Sequence, residues 1–353
     1  MFNVMTAFLL FILTCLLVGN CAAFQQHIFK SSCDVGLLSA LSATPDQLQV
    51  LTRRGEIEEK LMAQNQFPLV HKSGDATETL RKDGVVRIDN VLSDSTVDRL
   101  RDYVVDLQTR SLQAVQAGEV PFSERFANVM VNTERRDLKI PLGPTPVLDA
   151  LEEILGSPVG RAMEALLGKD CTLYELSCLI SNSGSQRQNV HPDHPCTIEN
   201  DGRDSDGDPL LLTCFVALQD VCPDMGPTVW IPGTHNPKAH DRFQRIRVED
   251  VMDSESPKDN LLRTTPSVVG LLPKGSCAIF DSRLLHCGTA NSSEKKTRAL
   301  FYVSFKHPKV EYPGNEGSIG YGLDTASLQL GELCHELQDR SESARLRHLY
   351  QNP

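Results

Sequence analysis

The sequence predicts an α+β domain whose core is a double-stranded β-helix, the jelly roll, flanked by helices. Two observations predict it. As far as Leu167, apolar residues recur at three- and four-residue spacing, which is the period of a helix with one buried face. From Cys171 onward the pattern becomes short β-branched and apolar runs cut by Gly, Pro and Asp. Helices followed by many short strands suit a helical layer on a two-sheet β core.

In chain order, Thr77 to Lys82 reads as a short helix ended by Asp83-Gly84, and Val85 to Ile88 as a strand. Ser93 is placed to cap a helix opening at Asp94, in which Val97, Leu100, Val104 and Leu107 share one apolar face. Val147 to Leu167 is again helical, with Pro158 interrupting it. Strands are expected at Thr172 to Ile180, Leu210 to Leu218, Thr228 to Ile231, Val268 to Leu272, Ser276 to Phe280 and Ala299 to Phe305. Glu199 to Pro209 alternates Asp and Gly but lacks the spacing of a calcium loop, so a solvated turn or lid is expected there.

Before this domain, Met1 to Ala23 carries no charged side chain, and Ala7 to Gly19 is almost wholly apolar. That run is short for a membrane span and suits a signal peptide, with Cys21-Ala22-Ala23 as the cleavage site before Phe24. The expected organisation is a signal at 1–23 and a leader or mobile arm at 24–74. A jelly-roll domain follows at 75–312, then a C-terminal helical extension at 313–353. The signal implies entry to the secretory pathway, with no stable membrane span once it is cleaved. The final site would be the endoplasmic reticulum or the exterior. A signal cleaved before Phe and followed by such a leader also resembles the bipartite presequence of secondary plastids.

The formal net charge of −11 argues against nucleic acid as the main partner and leaves a small-molecule substrate as the expectation. Nine of the eleven cysteines follow the cleavage site, with no close CxxC pair, so they read as buried small hydrophobes rather than staples. Asn291-Ser292-Ser293 is a glycosylation sequon.

The chemistry concentrates in two stretches. Gln186 to Asp193 sets His191 and Asp193 two residues apart, where neighbours on a strand face the same side. Phe280 to His286 closes an apolar run with a histidine. Two histidines and one carboxylate make the facial triad of non-haem Fe(II) oxygenases. Each of the ten histidines alone is more commonly a surface or core residue, and His194, His235 and His240 are weaker candidates. Arg298, twelve residues after His286, is expected on an antiparallel neighbouring strand. A buried guanidinium there requires an anion, either a dicarboxylic acid chelating the metal or a protein carboxylate.

These residues resemble the phytanoyl-CoA dioxygenase family of Fe(II)- and 2-oxoglutarate-dependent oxygenases, over roughly Asp75 to Pro308. Asp83-Gly84-Val85-Val86 through Asn90-Val91-Leu92-Ser93 is similar to its opening segment. Arg187 to Asp193 is similar to its RQ-x-x-H-x-D motif. Leu218 to Val221 and Gly226 to His235 follow, and Phe280 to His286 with Gly288, Asn291 and Arg298 resembles its ending. Cys287, where the family often has Arg, and Trp230 depart from the pattern.

The resemblance implies a jelly-roll (cupin-like) fold with Fe(II) on His191, Asp193 and His286. It implies 2-oxoglutarate with its far carboxylate on Arg298 and Gln188 lining the pocket. O2 completes the set, and Phe280-Asp281-Ser282-Arg283 supports His286. The implied reaction is hydroxylation of an aliphatic C–H in a small organic or lipid-like substrate, releasing succinate and CO2. The alternatives are a metal-dependent jelly-roll isomerase or hydrolase, in which Arg298 has no assigned anion, and a binding protein on the same fold.

Overall fold

The central strands are buried on both faces, and the two faces meet two different layers. The computed structural model describes residues 67–70, 74–129, 134–196, 208–245, 260–310 and 328–351. The expected signal, almost all of the leader and most of the Glu199 to Pro209 loop lie outside them. In chain order the strands are β1 (Leu69–Val70), β2 (Val85–Ile88), β3 (Phe126–Ala127), β4 (Arg135–Lys139), β5 (Thr172–Ser181), β6 (Leu211–Ala217), β7 (Thr228–Trp230), β8 (Val268–Val269), β9 (Cys277–Asp281), β10 (His286–Gly288) and β11 (Arg298–Lys306). The helices are α1 (Thr77–Asp83), α2 (Asp94–Gln116), α3 (Phe122–Arg125), α4 (Thr145–Leu155), α5 (Pro158–Leu167), α6 (Pro237–Arg245), α7 (Asn260–Thr264) and α8 (Leu330–Gln351).

Eight strands form one mostly antiparallel sheet in the order β1-β2-β9-β6-β11-β5-β4-β3, and three form a second in the order β10-β7-β8. The backbone of His191 pairs with that of His286 and adds an edge to the smaller sheet. This is the two-sheet jelly roll expected from the sequence. On the outer face of the large sheet, Phe301, Val303 and Phe305 of β11 join Leu176, Cys178 and Ile180 of β5 in one apolar cluster. Val97, Leu100, Val104 and Leu107 of α2, with α4 and α5, complete it. Phe301 has no exposed surface, and its truncation to Ala would cost about 3–5 kcal/mol. On the inner face, Phe215, Phe280, Leu300 and Tyr302 pack with Trp230. Trp230, a departure from the family pattern, thus fills the space between the sheets beside Phe67, Phe215 and Phe280.

Local signals set the element ends. The Ser93 hydroxyl accepts from the Thr96 N–H at the start of α2. Gly84 ends α1 with a φ of 78° that L side chains rarely adopt. Pro158 does interrupt the helical pattern, because α4 ends at Leu155. It begins α5 at the position where a missing N–H costs nothing, with Ser157 as cap. The C-terminal extension is helical at α8 and belongs to the core, since Leu330, Leu333 and Leu337 are buried in the outer cluster and Arg340 pairs with Asp149 at 2.8 Å. Among the described residues, no helix is long and apolar enough to cross a membrane.

β10 and β11 are not neighbours. β10 bonds to β7 in the small sheet, whereas β11 lies between β5 and β6 in the large one. The link between them crosses from one sheet to the other, so Arg298 approaches the centre from the opposite wall rather than from beside His286.

Candidate active site

Two histidines face each other across the small sheet. His191 N–H donates to His286 O and His286 N–H to His191 O, both at 2.9 Å. Each ring also bonds, through Nδ1, to the carbonyl two residues earlier: Asn189 O for His191 and Leu284 O for His286, both at 2.8 Å. A carbonyl only accepts, so each Nδ1 carries the proton and each Nε2 keeps a free lone pair. The Asp193 Oδ1 lies 3.8 Å from His191 Nε2 and 3.5 Å from His286 Nε2. All three ligand atoms fall within 4.8 Å of one another. Atoms bonded to one ion at about 2.1 Å stand about 3 Å apart when cis, so the donor set would hold a metal once it closes by up to about 2 Å.

Burial holds both imidazoles neutral. It pulls His286 down to about 4, and it pulls His191 to about 4 with help from the neighbouring His286, against the pull of Asp193. The Asp193 side chain is 37% exposed, but that surface opens on a cavity, and the enclosure pushes its carboxyl upward against the pull of His191.

The triad is held by the loop before β10. Ser282 O accepts both Asp193 N–H at 2.9 Å and His194 N–H at 3.0 Å, while the Ser282 hydroxyl donates to Leu211 O. Asp281 and Arg283 form a buried two-pronged ion pair that stiffens this turn. His240, buried on α6, ties the two halves together. It accepts from Cys196 N–H at 3.0 Å and donates to Arg283 O at 2.7 Å. Gly84 closes the loop from the other side, because a Cβ there would stand 2.5 Å from His235 Nδ1 and 2.8 Å from Leu284.

Two guanidiniums lie buried at the Ser181 end of β5, outside the set of residues that lines the cavity. Arg298 and Arg135 are both fully buried and both donate to the Ser181 hydroxyl at 3.1 Å. Arg298 also donates to Gly226 O, and Arg135 to Thr289 O at 3.0 Å. Gly226 has a φ of 71°, and a Cβ there would stand 2.7 Å from Thr289 O. Among the described residues neither arginine has a carboxylate partner, and Arg298 Nε and one Arg135 terminal nitrogen bond to nothing. Burial lowers Arg298 to about 9, aided by the second arginine, and lowers Arg135 to about 10. No carboxylate among the described residues fills the protein-carboxylate alternative for Arg298, and a buried guanidinium favours an anionic partner. Gln188 lines the cavity and accepts Gly288 N–H at 3.0 Å.

The sequence reading missed Arg135, His240 as a clamp, and the cavity carboxylates Asp137 and Glu175. Arg135 and Asp137 sit in a stretch, Arg135 to Lys139, with little apolar alternation to mark it as a strand.

The family model described as phytanoyl-CoA dioxygenase (PhyH) matches residues 80–299, well over half of the chain. The chain belongs to the phytanoyl-CoA dioxygenase family. It is an oxygenase of that family, with Fe(II), 2-oxoglutarate and O2 as its cofactor set, and the His-Asp-His group suits that set. Solved structures similar to this family member include the carbocyclase SnoK from nogalamycin biosynthesis, described as a non-haem α-ketoglutarate-dependent enzyme. It is 18% identical, with 66% of this chain and 83% of that one covered and a TM-score of 0.42. HygX from Streptomyces hygroscopicus, solved with nickel and 2-oxoglutarate, is 16% identical, covering 65% and 85%, with a TM-score of 0.45. The nickel complex of the non-haem monooxygenase ThoJ is 18% identical, covering 78% and 99%, with a TM-score of 0.44. No curated protein sequence is a significant match.

Proposed function

We propose that the protein hydroxylates an aliphatic C–H bond of a small organic substrate, with 2-oxoglutarate as co-substrate. The overall change is R–H plus 2-oxoglutarate plus O2 giving R–OH, succinate and CO2. In this reading His191, Asp193 and His286 hold the iron, and Arg298, assisted by Arg135, receives the far carboxylate of the co-substrate. Gln188 shapes the wall between them. The observation that carries it is the pairing of a His-Asp-His set, its two imidazoles pre-aimed and neutral, with two buried arginines that have no carboxylate partner among the described residues.

The iron, when bound, supplies O2 activation and the oxidising power for C–H cleavage. The chain supplies order around it. The Asn189 and Leu284 carbonyls fix which nitrogen of each ring faces the metal. A far carboxylate received by Arg298 would orient the dianion with its keto acid toward the triad. Phe215, Phe280 and Trp230 pack behind the centre and keep water from that side.

The test is isotopic. With 18O2, one labelled atom should enter the product and one the succinate. Product formation without succinate would sink the proposal.

A further inference from the structure

The cavity above the triad has a volume of about 410 Å³, enough for a small ligand beside a diacid. Its inner wall is built by β4, β5, β11 and β6, whose register sorts the side chains into rows. Arg135, Ser181 and Arg298 are aligned at one end. One step along, Asp137 stands opposite Leu179, and further on Glu175, Ser304 and Thr213 are aligned. These strands therefore run from a cationic to an acidic end, and of the two ends it is the acidic one, with Asp137, Glu175 and Thr213, that lines the cavity. Asp137 is 5% exposed and lines the cavity. Tyr302 donates to its Oδ2 at 2.7 Å, but its Oδ1 has no partner among the described residues. Lys139, two residues on, forms no ion pair with it. Beyond it, Ser304 donates to Glu175 at 2.6 Å and stands 3.0 Å from the Thr213 hydroxyl.

We infer that the substrate carries a protonated amine, which pairs with Asp137 at the acidic end of this cavity. The inference rests on the proposed function, in which Arg298 holds the far carboxylate of the co-substrate. An aliphatic lipid chain would leave the buried Asp137 Oδ1 without a partner, a cost of about 1–3 kcal/mol or more. A neutral hydroxyl would satisfy one lone pair but leave the buried charge uncompensated. An ammonium supplies both donor and charge. Burial pushes Asp137 up to about 6, opposed by the Tyr302 hydrogen bond and Lys139 and aided by Asp193, so the carboxyl is still mostly ionised at neutral pH. A cation beside it would lower that value.

Matched pairs test this on the full chain loaded with redox-inert Zn(II) and 2-oxoglutarate: glucosamine against glucose, cyclohexylamine against cyclohexanol, and 1,5-diaminopentane against 1,5-pentanediol. Calorimetry reads each dissociation constant. The amine should bind at least tenfold tighter in at least one pair, and Asp137→Asn should erase that preference without weakening 2-oxoglutarate binding. Equal or tighter binding of the neutral members, no binding by any member, or a preference surviving in Asp137→Asn overturns the inference. If that variant does not fold, the wild-type comparison decides alone. Titration with 2-oxoglutarate separates the two ideas. Failure to bind it removes the co-substrate reading, whereas normal binding without amine preference removes only the amine.

Discussion

Replacing Arg298 by Met separates a waiting anion site from a structural ion pair. Were the guanidinium paired with a buried carboxylate, truncation would cost about 3–5 kcal/mol of stability. Here it has only Gly226 O and the Ser181 hydroxyl as partners. Burial and the second arginine bring it from 12.5 to about 9, which corresponds to roughly 5 kcal/mol spent on keeping it charged, as an upper bound. Met of similar length removes that cost and gives up two hydrogen bonds, roughly 1–3 kcal/mol each. The two terms nearly cancel, so the ligand-free melting temperature should stay within a few degrees of wild type or rise. Ligand stabilisation should behave differently. At 100 times its dissociation constant, 2-oxoglutarate adds about 2.7 kcal/mol to the Zn(II)-loaded wild type, or roughly 5–10 °C. Losing one partner of a buried charge pair costs about 2–5 kcal/mol, at least about 30-fold in affinity. At the same concentration the variant would then gain less than about 1 kcal/mol. Thermal unfolding with and without 2-oxoglutarate reads both quantities. A drop of more than 10 °C without ligand, together with a retained ligand shift, would refute the reasoning.

His240→Ala should weaken metal binding by about 10–100-fold without abolishing it, because His240 ties Cys196 to Arg283 and touches no ligand atom; a metal titration checks this. The metal-free protein should lose stability as pH falls from 6.5, since His191 and His286 take up protons in the unfolded chain but not in the folded one until about 4. At pH 5 the loss is roughly 4 kcal/mol as an upper bound, and Asp137, protonating near 6 in the folded state, returns about 1; urea unfolding at pH 7 and pH 5 measures the difference. Asn291 should carry no glycan, because it is 1% exposed and its amide nitrogen donates to Ser181 O and Lys296 O; intact mass of the native protein decides it.

The outer half of the fold was legible because its residues face apolar neighbours. Val97, Leu100, Val104 and Leu107 mark α2 by period alone, and Ser93 and Gly84 mark its surroundings by capping chemistry. The triad was legible because His191 and Asp193 are close in sequence and His286 ends an apolar run. The inner wall was not. β4 presents Arg135, Asp137 and Lys139 to the inner side of its sheet, so its alternation is charged where a strand is expected to be apolar, and no strand is expected there. Short pieces such as β3 and α3 carry too few residues for any period. The position of Arg298 could be tied to His286 only through chain distance, which does not reveal that the connection changes sheets.

The most direct measurement of the central claim is the visible spectrum of anaerobic protein with Fe(II) and 2-oxoglutarate. A weak charge-transfer band from the chelated keto acid should appear in the wild type and be absent in both His191→Ala and His286→Ala. No band in the folded wild type, or a band of normal strength in either variant, would contradict the account.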